Sequence, residues 1–202
     1  MMRKRIWLPL LCLLAILLGA ALAILTMSWD FARPVSQEEQ ELRLQVVHTA
    51  EQWLGAKEED GSHRQIIDIY NAYTPLPRSY AVSYEDAWCA VFDSVVAMEC
   101  NLTHIIPPEC GCDPQIALFR SLGCWEEADD YVPLPGDLIY YHWDCEEVGD
   151  CTCATDHVGI VVGTAGRFIK VIEGNKENNV AYRYVQLDDP SIRGYGVPNY
   201  AG

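Results

Sequence analysis

Basic residues are scarce in this chain: 14 Lys+Arg stand against 29 Asp+Glu in 202 residues. Three of the cations, Arg3, Lys4 and Arg5, precede an apolar run, so the chain beyond that run carries 11 cations against 29 acids, a formal −18. A field of that sign excludes nucleic acid as a partner and excludes docking on anionic lipid or an anionic polymer by charge alone. Solubility is its plainest use. Charge of either sign is missing from Ile6 to Met27, a run of 22 residues that is long enough to cross a hydrocarbon core of about 30 Å as a helix. The cations before it belong in the cytoplasm, which places the rest outside. A cleaved signal peptide is the competing reading, with Ala21-Leu22-Ala23 as a small-x-small site, but the run exceeds the roughly 7–15 residues of a signal h-region. The expectation is a basic tip and uncleaved single-pass membrane anchor over 1–27, a neck over 28–35 and one domain over 36–202, with secretion as the alternative.

Cysteine is not scarce. Of nine, Cys12 lies in the apolar run, Cys89 heads an expected helix, and seven remain at 100, 110, 112, 124, 145, 151 and 153. An odd seven leaves at least one unpaired. Disulfides would staple the loop-rich stretch from 100 to 153 in an exported protein. Cys110-Gly-Cys112 and Cys151-Thr-Cys153 could instead hold zinc, although their spacing is tighter than the usual C-x₂₋₄-C.

The order of elements reads as α+β, N-terminal helices packed on a C-terminal antiparallel sheet. Ser36-Gln37-Glu38-Glu39 is a capping box opening a long helix with Leu42, Val46, Ala50, Trp53 and Leu54 on one stripe up to Gly55. A second capping box, Ser62 to Gln65, opens a helix carrying Ile66, Ile67, Tyr70 and Tyr73, with His63 in a solvated turn. After Pro75-Leu76-Pro77 comes the helix of Cys89, running to about Cys100. His104 reads as a satisfied structural histidine, and Asp113-Pro114 as the start of a short helix stopped by Gly123. From Pro133-Leu134-Pro135-Gly136-Asp137 onward the period is two, with strands at 138–141, 157–163, 167–173, 180–187 and 192–197.

Two positions suggest chemistry. Cys89 falls in or near a first helical turn, where unpaired N–H groups and the helix dipole favour a thiolate; the bland reading is an inert buried cysteine. A three-residue loop, Thr164-Ala165-Gly166, would set Gly163 opposite Arg167 and His157 directly opposite Glu173, sharing a sheet face with Asn175. A two-residue loop would turn the carboxylate away. With the first register, a thiol, a base and an acid that holds the base are all present.

Ala87-Trp88-Cys89-Ala90, Pro135-Gly136-Asp137, Asp156-His157-Val158-Gly159-Ile160-Val161 and Ile172-Glu173-Gly174-Asn175, in that order, resemble the CHAP family, cysteine- and histidine-dependent amidohydrolases/peptidases of papain-like fold. The resemblance spans about residues 40 to 200, including Arg193-Gly194-Tyr195-Gly196-Val197-Pro198 as a closing strand. It implies a papain-like domain that hydrolyses peptidoglycan, as an endopeptidase or an N-acetylmuramoyl-L-alanine amidase. Cys89 would be the nucleophile, His157 the general base, and Glu173 with Asn175 the orienting pair, with no metal or cofactor. The Cys89 N–H would serve an oxyanion hole. The Cys- and Asp-rich stretch 144–156 departs from that pattern. No repeat or separate wall-binding unit is visible, which leaves the apolar run as the expected localising device. The alternatives are a non-catalytic wall-binding or scaffold module of the same fold, and an acyl transferase with the same dyad.

Overall fold

The computed structural model describes residues 33–143 and 154–202. The expected anchor at 6–27 and Cys145, Cys151 and Cys153 lie outside the described residues; among those described, no helix is long and apolar enough to cross a membrane. The chain is α+β. Among the described residues four α-helices, α1 (Gln37–Glu51), α2 (Arg64–Asn71), α3 (Cys89–Glu99) and α4 (Cys112–Ser121), precede a six-stranded sheet. Its strands are β1 (Trp125–Glu126), β2 (Leu138–Tyr141), β3 (His157–Ala165), β4 (Phe168–Lys176), β5 (Asn179–Gln186) and β6 (Ile192–Gly196). They lie in the order β1-β6-β2-β3-β4-β5, every neighbour antiparallel.

Helix α3 is the centre of the core because its sequence has no polar face to give to solvent. Every residue from Cys89 to Ala97 is buried, as expected of a helix that is apolar nearly all round. It packs against β3, β4, α1 and α2. Val91, Phe92, Val95 and Val96 are fully buried, each contributing about 1.5–3 kcal/mol as an upper figure. The closeness of α3 to the sheet depends on Gly174, where a Cβ would lie 2.3 Å from Phe92 Cβ. A smaller apolar cluster of Ile139, Tyr141, Val161, Ile169, Val171, Val185 and Tyr195 forms beside the main one.

The Pro135-Gly136-Asp137 turn supplies a polar node. Arg43, 1 % exposed, donates from Nη1 to Asp137 Oδ1 at 2.8 Å and to the Pro135 carbonyl at 3.0 Å, and from Nε to Glu39 at 2.8 Å. Asp137 Oδ2 accepts from the Tyr131 hydroxyl and the Leu134 N–H. Tyr200 lies 4.5 Å from the Arg43 guanidinium and donates to the Gly136 carbonyl. With these hydrogen bonds in place, the buried charge is tolerated, and α1 is pinned to the sheet.

Several local expectations change. Ser36 caps α1 through Glu39 N at 3.1 Å, but the capping box at Ser62 does not form: Ser62 Oγ accepts from Lys57 N and bonds Asp60, and α2 starts after an uncapped His63. His63 is buried, 5.8 Å from the Trp88 ring with Nε2 at the Tyr84 carbonyl, so it is not a solvated turn residue. His104 is exposed. Helix α4 starts at Cys112, which places Pro114 at its third position; Asp113 accepts from Thr155 N.

Candidate active site

Cys89 is the first residue of α3, after Trp88 as N-cap. The first hydrogen bond of the helix runs from Phe92 N to the Trp88 carbonyl at 3.0 Å, so the N–H groups of Cys89, Ala90 and Val91 have no partner within it. Trp88 is fully buried and donates to Glu58 at 3.0 Å. The loop before it is held by Asp86, which accepts from Ser83 N and the Tyr80 hydroxyl. These contacts fix where the helix begins and therefore where the thiol stands.

His157 opens β3 at the rim of the sheet, and its Nε2 lies 3.1 Å from Glu173 Oε2. The register that brings them together is not the expected one. The β3–β4 turn holds two residues, Gly166 and Arg167, between the paired Ala165 and Phe168, with Gly166 at φ 58°. That shift alone would send Glu173 to the other face. A bulge between Val161 and Gly163 restores the parity, and the ladder resumes as Val161↔Val171 and Ile160↔Ile172. Continued one step, it sets Gly159 opposite Glu173, where a Cβ on Gly159 would lie 2.6 Å from Glu173 Cγ. His157 therefore meets Glu173 on the diagonal, over a position that has no side chain.

On the other side of β4 the pattern repeats. Val171 pairs with Arg183 and Glu173 with Ala181, so Arg183 is a diagonal neighbour too, and its Nε donates to Glu173 Oε1 at 2.6 Å. Glu173 is fully buried between His157 and Arg183. The Arg183 guanidinium lies 4.7 Å from the ring of Trp143, which stacks on Tyr141 at 4.7 Å. A plain pairing count outward from Lys176↔Asn179 would set Tyr182 opposite Glu173; the register shift between Glu173 and Lys176 is what brings Arg183 onto the face of the acid.

Asn175 does not join the group. The β4–β5 ladder shifts between Glu173 and Lys176, Asn175 adopts φ 57°, and it makes no hydrogen bond to His157. The left-handed bend breaks the alternation on which the shared-face argument relied.

A second thiol is present. Cys112, first residue of α4, has its Sγ 3.7 Å from that of Cys89. Helix α4 is held by Gln115, which accepts from the Tyr140 hydroxyl at 2.9 Å and donates to the Pro107 carbonyl at 3.1 Å. Cys89, Cys100, Cys110, Cys112 and Cys124 are all free thiols, and no metal-binding group of His, Cys, Asp or Glu occurs among the described residues.

The electrostatics favour an ion pair. The hydrogen bond from Cys112 holds Cys89 well below the ordinary thiol range; burial opposes this, while the hydrogen bond and charge of His157 and the Ala90 N–H add to it. Burial disfavours a charged imidazole, but hydrogen bonds to Cys89 and Glu173 push His157 up to about 9. Burial likewise works against Glu173, and the hydrogen bonds from His157 and Arg183 overcome it, holding the carboxyl below its usual range. Since Nε2 is engaged by Glu173, Nδ1 is the ring nitrogen left for the thiol. Asp93, one turn along α3, is fully buried and neither carboxylate oxygen has a hydrogen-bond partner among the described residues. Burial and then the Cys89 charge push its carboxyl well above the ordinary value.

Comparison with known proteins finds no matching protein-family model, no matching curated protein and no matching solved structure.

Proposed function

We propose that this chain is a cysteine hydrolase that cleaves an amide bond in peptidoglycan through a thioester, on a papain-like domain held at the outer face of a membrane by residues 6–27. The observation that carries the chemistry is the His157–Glu173 pair, with Nε2 to Oε2 at 3.1 Å, set beside Cys89 so that thiol and imidazole each shift the other toward its charged form. The substrate class rests on the four-motif resemblance to CHAP enzymes.

In this reading the Cys89 thiolate attacks the amide carbonyl, and His157 delivers its proton to the departing amine. Glu173, acting on the far ring nitrogen, holds the imidazole in orientation and stabilises its charge. The first-turn N–H groups of α3, which have no partner within the helix, are the donors available to the developing oxyanion. A water, deprotonated by His157, then releases the acyl product from Cys89.

The test is digestion of purified sacculi by the detergent-solubilised full chain, beside Cys89→Ala and His157→Ala, with mass spectrometry of the released muropeptides. Release by the parent protein alone supports the reading and identifies the bond. Equal release by all three removes the catalytic assignment, and products carrying a new amine in place of water assign acyl transfer.

A further inference from the structure

Cys112 makes and breaks no bond in the reaction just described beyond its hydrogen bond to the nucleophile, yet it holds its sulfur 3.7 Å from that of Cys89. Both cysteines are the first residues of their helices, and both are nearly buried, at 6 % and 8 % exposure. A disulfide needs its sulfurs at about 2.05 Å. The sulfurs here are already in contact, so the closure required is about 1.7 Å, within reach of side-chain rotation at two helix ends. None of the other free thiols among the described residues stands in such a contact with Cys89: Cys100 donates to Thr49, Cys124 to the Leu122 carbonyl, and Cys110 accepts from Arg78.

We propose that Cys89 and Cys112 form a reversible intramolecular disulfide, a covalent modification site that removes the nucleophile when a low-molecular-weight disulfide is present. The chemistry is thiol–disulfide exchange with an external disulfide RSSR as oxidant. The Cys89 thiolate attacks one sulfur of RSSR, forming Cys89–S–S–R and expelling RS⁻. Cys112 then loses its proton and attacks the Cys89 sulfur, forming the Cys89–Cys112 bond and expelling the second RS⁻. Two electrons pass from the two cysteines to RSSR, and two RSH are the products once the thiolates take up protons. The first step also removes the negative charge beside Cys112, which favours ionisation of its thiol for the second. An external thiol reverses both steps.

The consequence for activity rests on the hydrolase reading, but bond formation does not, and the experiment separates them. The full chain is reduced, exchanged into oxidised glutathione at neutral pH, quenched with acid, and mapped by mass spectrometry after proteolysis. A linked pair of peptides containing Cys89 and Cys112 is expected. Alkylation of Cys89 by iodoacetamide should fall at least about tenfold and return on treatment with dithiothreitol. In Cys112→Ser and Cys112→Ala, Cys89 should instead stop at the mixed disulfide and carry glutathione. The proposal is overturned if the parent protein accumulates that same mixed disulfide, links Cys89 to Cys110 or another cysteine, or leaves Cys89 free. Because the parent protein alone decides, a variant that fails to fold does not protect it. Reduced protein that forms the linked pair but releases nothing from sacculi would sink the hydrolase reading and leave the disulfide standing.

Discussion

His157 and Glu173 meet on the diagonal across Gly159, with Nε2 3.1 Å from Oε2, because a bulge at Val162 cancels the parity change made by a two-residue turn. Direct opposition is not needed for the contact. An even shift of register keeps two side chains on one face, and a glycine between them lets a glutamate lean across.

The base and the thiol should be separable by reactivity. At neutral pH Cys89 should alkylate faster than Cys100, whose thiol burial raises above the ordinary range. His157→Ala should slow Cys89 while leaving Cys100 unchanged, and lower turnover by roughly 10²–10⁴. Time-resolved alkylation read by peptide mass checks this; a Cys89 rate indifferent to His157 would contradict the ion pair.

The pH profile has a definite sign. Turnover requires the thiolate and the imidazolium together, so kcat/KM should fall as pH drops through the depressed Cys89 value and again as pH rises past about 9, where His157 loses its proton. Glu173 helps to hold that proton, so Glu173→Gln should move the alkaline limb to lower pH by on the order of 1 unit. A limb that stays in place would show that the carboxylate does not act on His157.

Two glycines test the geometry from opposite directions. Gly174→Ala drives a methyl group into Phe92 and should cost about 1–3 kcal/mol of stability, seen as a lower Tm in a thermal melt. Gly159→Ala puts a methyl group against the Glu173 side chain, so the folded fraction should show an altered alkaline limb resembling that of Glu173→Gln.

Asp137→Asn addresses the Pro-Gly-Asp motif. Asp137 and Arg43 are both fully buried, so loss of the Asp137 charge leaves Arg43 with Glu39 as its remaining ion-pair partner and should cost up to about 3–5 kcal/mol. The variant should unfold at lower denaturant while its turnover per folded molecule is unchanged. A selective loss of kcat would give the motif a catalytic part that its contacts do not suggest.

The sequence revealed the architecture where hydrophobic period was strong and failed where a single residue set the geometry. Helix α3 and the strand pairs were legible because their apolar spacing leaves little choice. The bulge at Val162 was not, since nothing in a run of Gly, Val and Ile marks which residue is extra. The His157–Glu173 pairing was thus anticipated on the right face by the wrong register. Asn175 was misplaced because a left-handed bend cannot be read from alternation. Cys112 was visible only as half of a C-x-C pair, and its neighbour in space is 23 residues away. His63 was read from its polar neighbours, whereas tertiary packing on Trp88 decides its burial.

Arg43 has one further consequence. Its guanidinium lies over Tyr200, four residues beyond β6, and Arg43 itself is only about 9 Å along α1 from Gln37. The first described helix and the stretch after β6 are fastened at one point, so a short bridge could join them. A chain circularly permuted in this way, and opened at an exposed turn remote from Cys89, should still assemble the same site.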